Sequence, residues 1–216
     1  MTLVLTTYDW VPDMPRGFVR DIRVRWLLEE LGRPYRVETV PLREKSPDHI
    51  AQQPFAQVPF IRDGDLTLFE SGAILLHLAE GTDLMPADRR PQVQQWLIAA
   101  LNSVEPFLMA WVIPKLFGKD EAGAARREPL LRKRLDQLQA ALGGRDWLTG
   151  DSFTVADLLM ADILRIPAQN GLLDELHPLA AYVERATARP AFGKALADQM
   201  AHWRAADERQ AVSQGK

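Results

Sequence analysis

The chain has 216 residues, a net charge of −3, 47% hydrophobic residues and no cysteine. That length and composition describe an ordinary globular chain of one large or two small domains, and the weak acidity offers nothing to nucleic acid or an anionic membrane. Without cysteine there is no disulfide, no cysteine zinc site and no CxxC redox pair, so any thiol chemistry must use a thiol carried by a ligand.

Leu3-Val4-Leu5 opens a first strand that ends near Tyr8. Asp9 to Pro15, with Pro12 and Pro15, is predicted as a loop. Arg16-Gly17 leads into a helix through Leu31, with Val19, Ile22, Trp26 and Leu27 at helical spacing and Gly32 as the stop. Arg20, Arg23 and Arg25 read as a solvated basic face of that helix. Tyr35 to Val40 alternates as a second strand, and Pro47 to Gln53 is a short helix or turn. Val58-Pro59-Phe60-Ile61, the Asp63-Gly64 turn and Leu66-Thr67-Leu68-Phe69 form a hairpin. Glu70-Ser71 opens a helix with Ile74, Leu75 and Leu78 on one face. The order β-α-β-α-β-β-α predicts an N-terminal α/β layer of thioredoxin-like type.

After Glu80 the character changes. Gly81-Thr82-Asp83 and Pro86 to Pro91 read as a linker, which sets the domains at 1–81 and 91–216 with a linker at 82–90. Beyond it an all-helical bundle is predicted. A long helix runs from Val93 to about Leu116, kinked or broken at Pro106 and Pro114. Further helices cover Arg126 to Leu142, Thr154 to about Pro167, Leu179 to Ala188 and Ala191 to about Ala205. Asp207 to Lys216 is expected to fray. Thr154-Val155-Ala156-Asp157 is a capping box, and Thr154→Ala is expected to cost about 1 kcal/mol or somewhat more in a denaturant melt. The start MTLVLTTYDW has no basic region, and the apolar run Phe107 to Ile113 is too short to span a bilayer, so a cytoplasmic protein is expected. His49, His77, His177 and His202 show no metal-ligand spacing.

Two features exceed what the hairpin needs, Pro59 and the Glu70-Ser71 helix start. Pro59 heads a strand, where it removes a ladder donor and leaves the backbone of Val58 free. Ser71 stands at a helix start, whose N–H groups attract a carboxylate. Glu70 beside it can hold an ammonium. Together they suit the α-amino-acid end of a small molecule. This array resembles the glutathione-binding half of cytosolic glutathione transferases, and the segment Leu148 to Leu164 is similar to the folding motif of their helical domain. The resemblance runs from Leu3 to about Ala205 and is nearest to bacterial members. It implies an enzyme of detoxification type that conjugates glutathione, as co-substrate, to a small, apolar electrophile, without a metal. It also implies that the Val58 backbone, before a cis Pro59, pairs with the cysteinyl part and that Glu70 and Ser71 bind the γ-glutamyl end. Gln57 is placed for the glycine carboxylate, Trp111 for the acceptor pocket, and a two-fold homodimer is expected, with Asn102, Ser103 and Glu105 either reaching across it or capping the break before Pro106.

Family members usually place a Ser, Cys or Tyr at the end of the first strand or the start of the first helix. From Asp9 to Arg25 this chain has no Ser, Thr or Cys, and Phe18 and Val19 fall near where a serine is kept. The hydroxyls in reach are Thr6, Thr7 and Tyr8, and strand alternation lets either Thr7 or Tyr8 face the ligand. Tyr8 is the expected donor to the thiolate, with Arg16, or Arg20 one turn on, adding positive charge. The other readings of the same fold are a non-catalytic glutathione-binding or interaction module and a glutathione-dependent isomerase or peroxidase.

Overall fold

The computed structural model describes residues 2–214, with side chains to residue 211. In chain order the elements are β1 (Leu3–Tyr8), α1 (Asp21–Glu30), β2 (Tyr35–Val40), α2 (Pro47–Gln52), β3 (Phe60–Asp63), β4 (Leu66–Phe69), α3 (Ser71–Ala79), α4 (Arg90–Ala99), α5 (Glu105–Val112), α6 (Glu121–Leu142), α7 (Val155–Gln169), α8 (His177–Thr187) and α9 (Pro190–Gln214). Packing gathers them into two units, Met1–Leu78 with Arg189–Lys216, and Ala79–Ala188. The final helix, which the sequence reading placed in the region 91–216, packs with the first 78 residues.

In the first unit a four-stranded mixed sheet runs in the order β2-β1-β3-β4. β1 is parallel to β2, with Tyr8 beside Val40, and antiparallel to β3, with Thr6 beside Phe60. As an inner strand it is covered on both faces, and Leu3 to Thr7 are all buried. The hairpin turns at Gly64, whose φ of +62° an L side chain rarely adopts.

α1 begins at Asp21, four to five residues later than the Arg16-Gly17 start expected above. Gly17 has φ +80°, and the N–H groups of Phe18 and Val19 both bond to the Pro15 carbonyl. A left-handed residue inside that turn stops helical propagation until Asp21. α1 ends at Gly32 as expected. The N–H of Gly32 reaches the Glu29 carbonyl at 3.2 Å and that of Arg33 the Leu28 carbonyl at 2.9 Å, a Schellman closure. Of the expected basic face Arg20 is exposed, but the other two arginines are not. Arg23 is 4% and Arg25 3% exposed, because Arg25 pairs with the fully buried Asp21 at 2.7 Å and Arg23 reaches Ser71.

α9 runs to Gln214, well past Ala205, so Asp207 to Gln214 is helix and not a frayed end, while residues 215–216 of that expectation lie outside the described residues. Asp207 holds the extension, accepting from Trp10 Nε1 at 2.8 Å and from Arg16 at 2.6 and 2.7 Å, and the helix before it is packed along its inner face. Gln199 Nε2 donates to the Val19 carbonyl (3.1 Å) and to Asp21 Oδ1 (2.7 Å), and Trp203 is fully buried. Just before the helix, Arg189 grips both oxygens of Glu30 at 2.6 and 2.7 Å.

In the helical unit Pro106 and Pro114 do not break the chain. Pro106 follows one wide turn, Ala100–Val104, and Pro114 lies within a second, Ile113–Phe117, in a helical stretch from Arg90 to Phe117. The Glu105 N–H bonds five residues back to the Ala100 carbonyl, and that of Gly118 to Ile113 at 2.8 Å. A wide turn gives the proline ring the space it would otherwise take from the preceding carbonyl. This stretch is long and apolar enough to cross a membrane by composition, but Val93, Leu97, Val104, Leu108, Trp111 and Val112 are buried inside the unit. Asn102 and Ser103 lie exposed in the first wide turn, while Glu105 is buried. α6 starts five residues before Arg126, where Asp120 accepts from the Gly123 N–H at 2.8 Å.

α7 carries the expected capping box, and its Asp157 does more than close the helix. Its carboxylate accepts from Leu148 N (2.8 Å), Thr154 N (2.9 Å), Thr154 Oγ1 (2.7 Å) and Tyr182 Oη (3.1 Å). One buried group thus ties α7, α8 and the loop before α7.

Candidate active site

Sheet topology decides what meets. β1 and β4 end, and β3 begins, at the same edge of the sheet. The register that pairs Thr6 with Phe60, and Phe60 with Phe69, therefore brings Tyr8, Gln57-Val58-Pro59 and Glu70-Ser71 to one end of the first unit. These residues span more than sixty positions of sequence and come from three strand ends.

The Val58–Pro59 bond is cis, and Val58 lies outside the ladder, which starts at Phe60. Among the described residues three non-glycine positions have positive φ, and two flank this site: Ala56 at +54° and Glu70 at +67°. An L residue in that region costs about 1–2 kcal/mol, and such costs gather where a backbone is shaped for a ligand. Gln57 is exposed, and its carbonyl accepts a 2.8 Å bond from Nε2 of the buried His49, whose ring stacks on Phe60.

Glu70 is exposed, while Ser71, at the first position of α3, is 6% exposed. The Ser71 hydroxyl accepts from Arg23 Nη1 at 3.3 Å. Around it the first-turn N–H groups of α3 have no intrahelical acceptor and carry the positive end of the helix dipole. A carboxylate is favoured there, with Glu70 able to neutralise an adjoining ammonium.

Tyr8 shares its pleat face with Thr6, and hence with Phe60 and His49. Thr7 points to the other face and is fully buried. Burial pushes the Tyr8 phenol up, so it remains a protonated donor at neutral pH. The Lys45 ammonium lies 4.3 Å from the centre of the Tyr8 ring, and burial pulls that ammonium's pKa down. The Tyr8 carbonyl accepts from Nε2 of His202 on α9 at 2.9 Å.

Arg16 is on the loop between β1 and α1. Its guanidinium bonds the Val11 carbonyl (3.2 and 3.0 Å), Asp207 (2.6 and 2.7 Å) and Asp13 (3.1 Å). The Arg16 and Trp10 hydrogen bonds hold the Asp207 carboxyl down at about 2. Trp111 lies in the helical unit, 2% exposed, with its indole donating to Glu128 Oε2 at 3.3 Å. Sequence reasoning missed His49, Lys45, His202 and Asp207. Nothing local marks them, since three of the four act on residues far along the chain or across the sheet. Among the described residues no cluster of His, Cys, Asp or Glu could hold a metal.

A groove of about 610 Å³ elsewhere in this unit, lined by residues such as Glu29, Tyr35, Lys194, Asp198 and His202, takes in none of the candidate residues. Its Lys194 is already bound to Glu29 and Asp198, at 3.1 and 2.6 Å.

Residues 3–80 match the family model for the glutathione S-transferase N-terminal domain and residues 102–190 that for the C-terminal domain. A glutathione S-transferase 3 from Zea mays is 34% identical over 195 residues, covering 82% of this chain and 88% of that one. The crystal structure of glutathione transferase F7 from Populus trichocarpa superposes with a TM-score of 0.80 at 26% identity, over 92% of this chain and 99% of that one. A glutathione transferase family member from Pseudomonas fluorescens, with two glutathione bound, gives a TM-score of 0.77 at 25% identity over 90% and 92% of the two chains.

Proposed function

The chain belongs to the glutathione S-transferase family, and from that premise we propose which of its residues bind glutathione and activate the thiol. The observation that carries the assignment is the sheet end itself: a cis Val58–Pro59, left-handed Ala56 and Glu70, and the start of α3, all beside the end of β1. The free backbone of Val58 pairs with the cysteinyl amide. Ser71 and the α3 N–H groups hold the γ-glutamyl carboxylate, and Glu70 its ammonium. Gln57 lies at the glycine end.

That placement sets the thiol near Tyr8. A free thiol has a pKa of about 8.5, and lowering it by about 2 units needs roughly 2.7 kcal/mol of preference for the thiolate. A protonated Tyr8 hydroxyl donating to sulfur supplies much of that, because hydrogen bonds to ionised groups contribute about 1.5–3 kcal/mol. The thiolate then attacks an electrophilic carbon, its lone pair forming the new bond as the leaving group or π electrons depart. Arg16 contributes a positive field tempered by Asp207. The electrophile is small and apolar, and Trp111, being buried, serves the helical unit as packing. A two-fold homodimer and a cytoplasmic setting complete the proposal.

Tyr8→Phe tests it. The variant is expected to slow conjugation of glutathione to a chlorodinitrobenzene electrophile about tenfold to a hundredfold, with little change in KM for glutathione. A full rate would remove Tyr8 from the mechanism.

A further inference from the structure

The segment that joins Tyr8 to α1 is held at both ends by the last helix of the chain. At one end His202 Nε2 donates to the Tyr8 carbonyl at 2.9 Å. At the other, five residues on, Asp207 reaches two partners. Its Oδ1 accepts from Trp10 Nε1 at 2.8 Å and from Arg16 Nη2 at 2.7 Å, and its Oδ2 accepts from Arg16 Nη1 at 2.6 Å.

The arginine side of this contact is largely committed. A guanidinium has five N–H donors in a fixed fork. Arg16 directs Nε and Nη2 at the Val11 carbonyl, Nη1 and Nη2 at Asp207, and Nη1 again at Asp13. Four of the five donors are thus taken by hydrogen bonds to Val11 and Asp207, and the remaining Nη1 hydrogen lies in an ion pair with Asp13. The indole of Trp10 has one donor, and Asp207 takes it. Arg16 and Trp10 are thus two jaws closing on a single carboxylate from 191 and 197 residues away.

We infer that Asp207 is a positioning residue for conjugation: through Arg16 and Trp10 it fixes the loop after β1, and so the direction of the Tyr8 hydroxyl, while Arg16 acts as a clamp and not as a contact to sulfur. This rests on the reading of Tyr8 given above. Loop closure by a charged, bidentate pair is stiff in direction as well as strong. A shift of the Tyr8 hydroxyl of about 1 Å is enough to lose a catalytic hydrogen bond.

The test compares Asp207→Asn, Asp207→Ala, Asp207→Glu, Arg16→Ala and the double variant Arg16→Ala/Asp207→Ala. Each is read for turnover, for KM of glutathione, and for the pKa of the bound glutathione thiol by ultraviolet absorbance. Asp207→Asn keeps the size of the side chain and its bond to Trp10, so it decides the question where Asp207→Ala does not fold. The expected result is a fall in kcat of about fivefold or more, a KM for glutathione within about twofold, and a thiol pKa moved back toward the free value. Asp207→Glu should recover part of the rate. The double variant should match the weaker of its two parents, since both jaws act through one contact. A staple with only a structural role would lower the melting temperature and leave the thiol pKa alone, and that result overturns the inference. So do losses that multiply in the double variant. Wild-type protein that binds glutathione while Asp207→Asn keeps a normal thiol pKa sinks this inference and spares the site. Wild-type protein that binds no glutathione in calorimetry sinks the site and this inference together.

Discussion

Asp157→Ala is expected to cost the protein about 4 kcal/mol or more, a large part of the roughly 5–15 kcal/mol that holds a typical domain together. The carboxylate is fully buried and is the acceptor for Leu148 N, Thr154 N, Thr154 Oγ1 and Tyr182 Oη. Alanine leaves these donors in an enclosed space, each unmet donor costing about 1–3 kcal/mol. Thr154→Ala deletes one hydroxyl and stays near the usual cap loss, so the pair of variants should differ by a wide margin in guanidinium unfolding. A loss below about 2 kcal/mol for Asp157→Ala would show that the loop before α7 rearranges to satisfy itself. The pH behaviour has a definite sign. Burial raises the Asp157 carboxyl, against hydrogen bonds that lower it. A folded-state pKa above the unfolded one means that ionised Asp157 is disfavoured by folding. That cost is present above the folded value and is relieved as pH falls through it, so this group does not drive acid unfolding.

Glu70→Gly is expected to separate stability from binding. Glu70 sits at φ +67°, where glycine is unstrained and glutamate is not. The substitution relieves up to about 1–2 kcal/mol of backbone cost, partly offset by the greater freedom of glycine in the unfolded chain. Thermal stability should therefore hold or rise slightly. Glutathione affinity should fall about tenfold to a hundredfold, because a carboxylate facing the ligand ammonium is lost. Calorimetric titration beside a melt reads both at once. Unchanged affinity would show that the left-handed geometry serves the backbone alone; a large fall in stability would show that the Glu70 side chain has an unforeseen structural partner.

The division between what sequence reasoning finds and what it misses follows chemical range. Period, turn residues and caps act over a few positions. The four strands were accordingly legible in order, with β3 two residues later than its expected start at Val58, and the Gly64 turn, the Gly32 stop and the Thr154–Asp157 box in place. The Val58-Pro59 and Glu70-Ser71 pairs were legible because their residue types exceed what a hairpin requires. The start of α1 was not. Gly17 has helical residues after it in sequence, and only its φ of +80° delays the helix to Asp21. Arg23 and Arg25 read as solvated because composition cannot reveal Asp21 or Ser71 packed against them. α9 beyond Ala205 is polar and looks free to fray until Asp207 meets Trp10 and Arg16. The two prolines of the long helix were legible as disturbances, but the wide turns that absorb them depend on backbone geometry that proline alone does not specify.

The central claim is that this sheet end holds glutathione with its thiol beside Tyr8. Its most direct test is an ultraviolet difference titration of bound glutathione, read at thiolate absorbance across pH, in wild-type protein and in Tyr8→Phe. The account predicts a wild-type thiol pKa about 2 units below the free value of about 8.5, and a return most of the way toward that value in Tyr8→Phe. Glutathione bound tightly with an unshifted thiol in the wild type, or the same lowered pKa in both proteins, would contradict it.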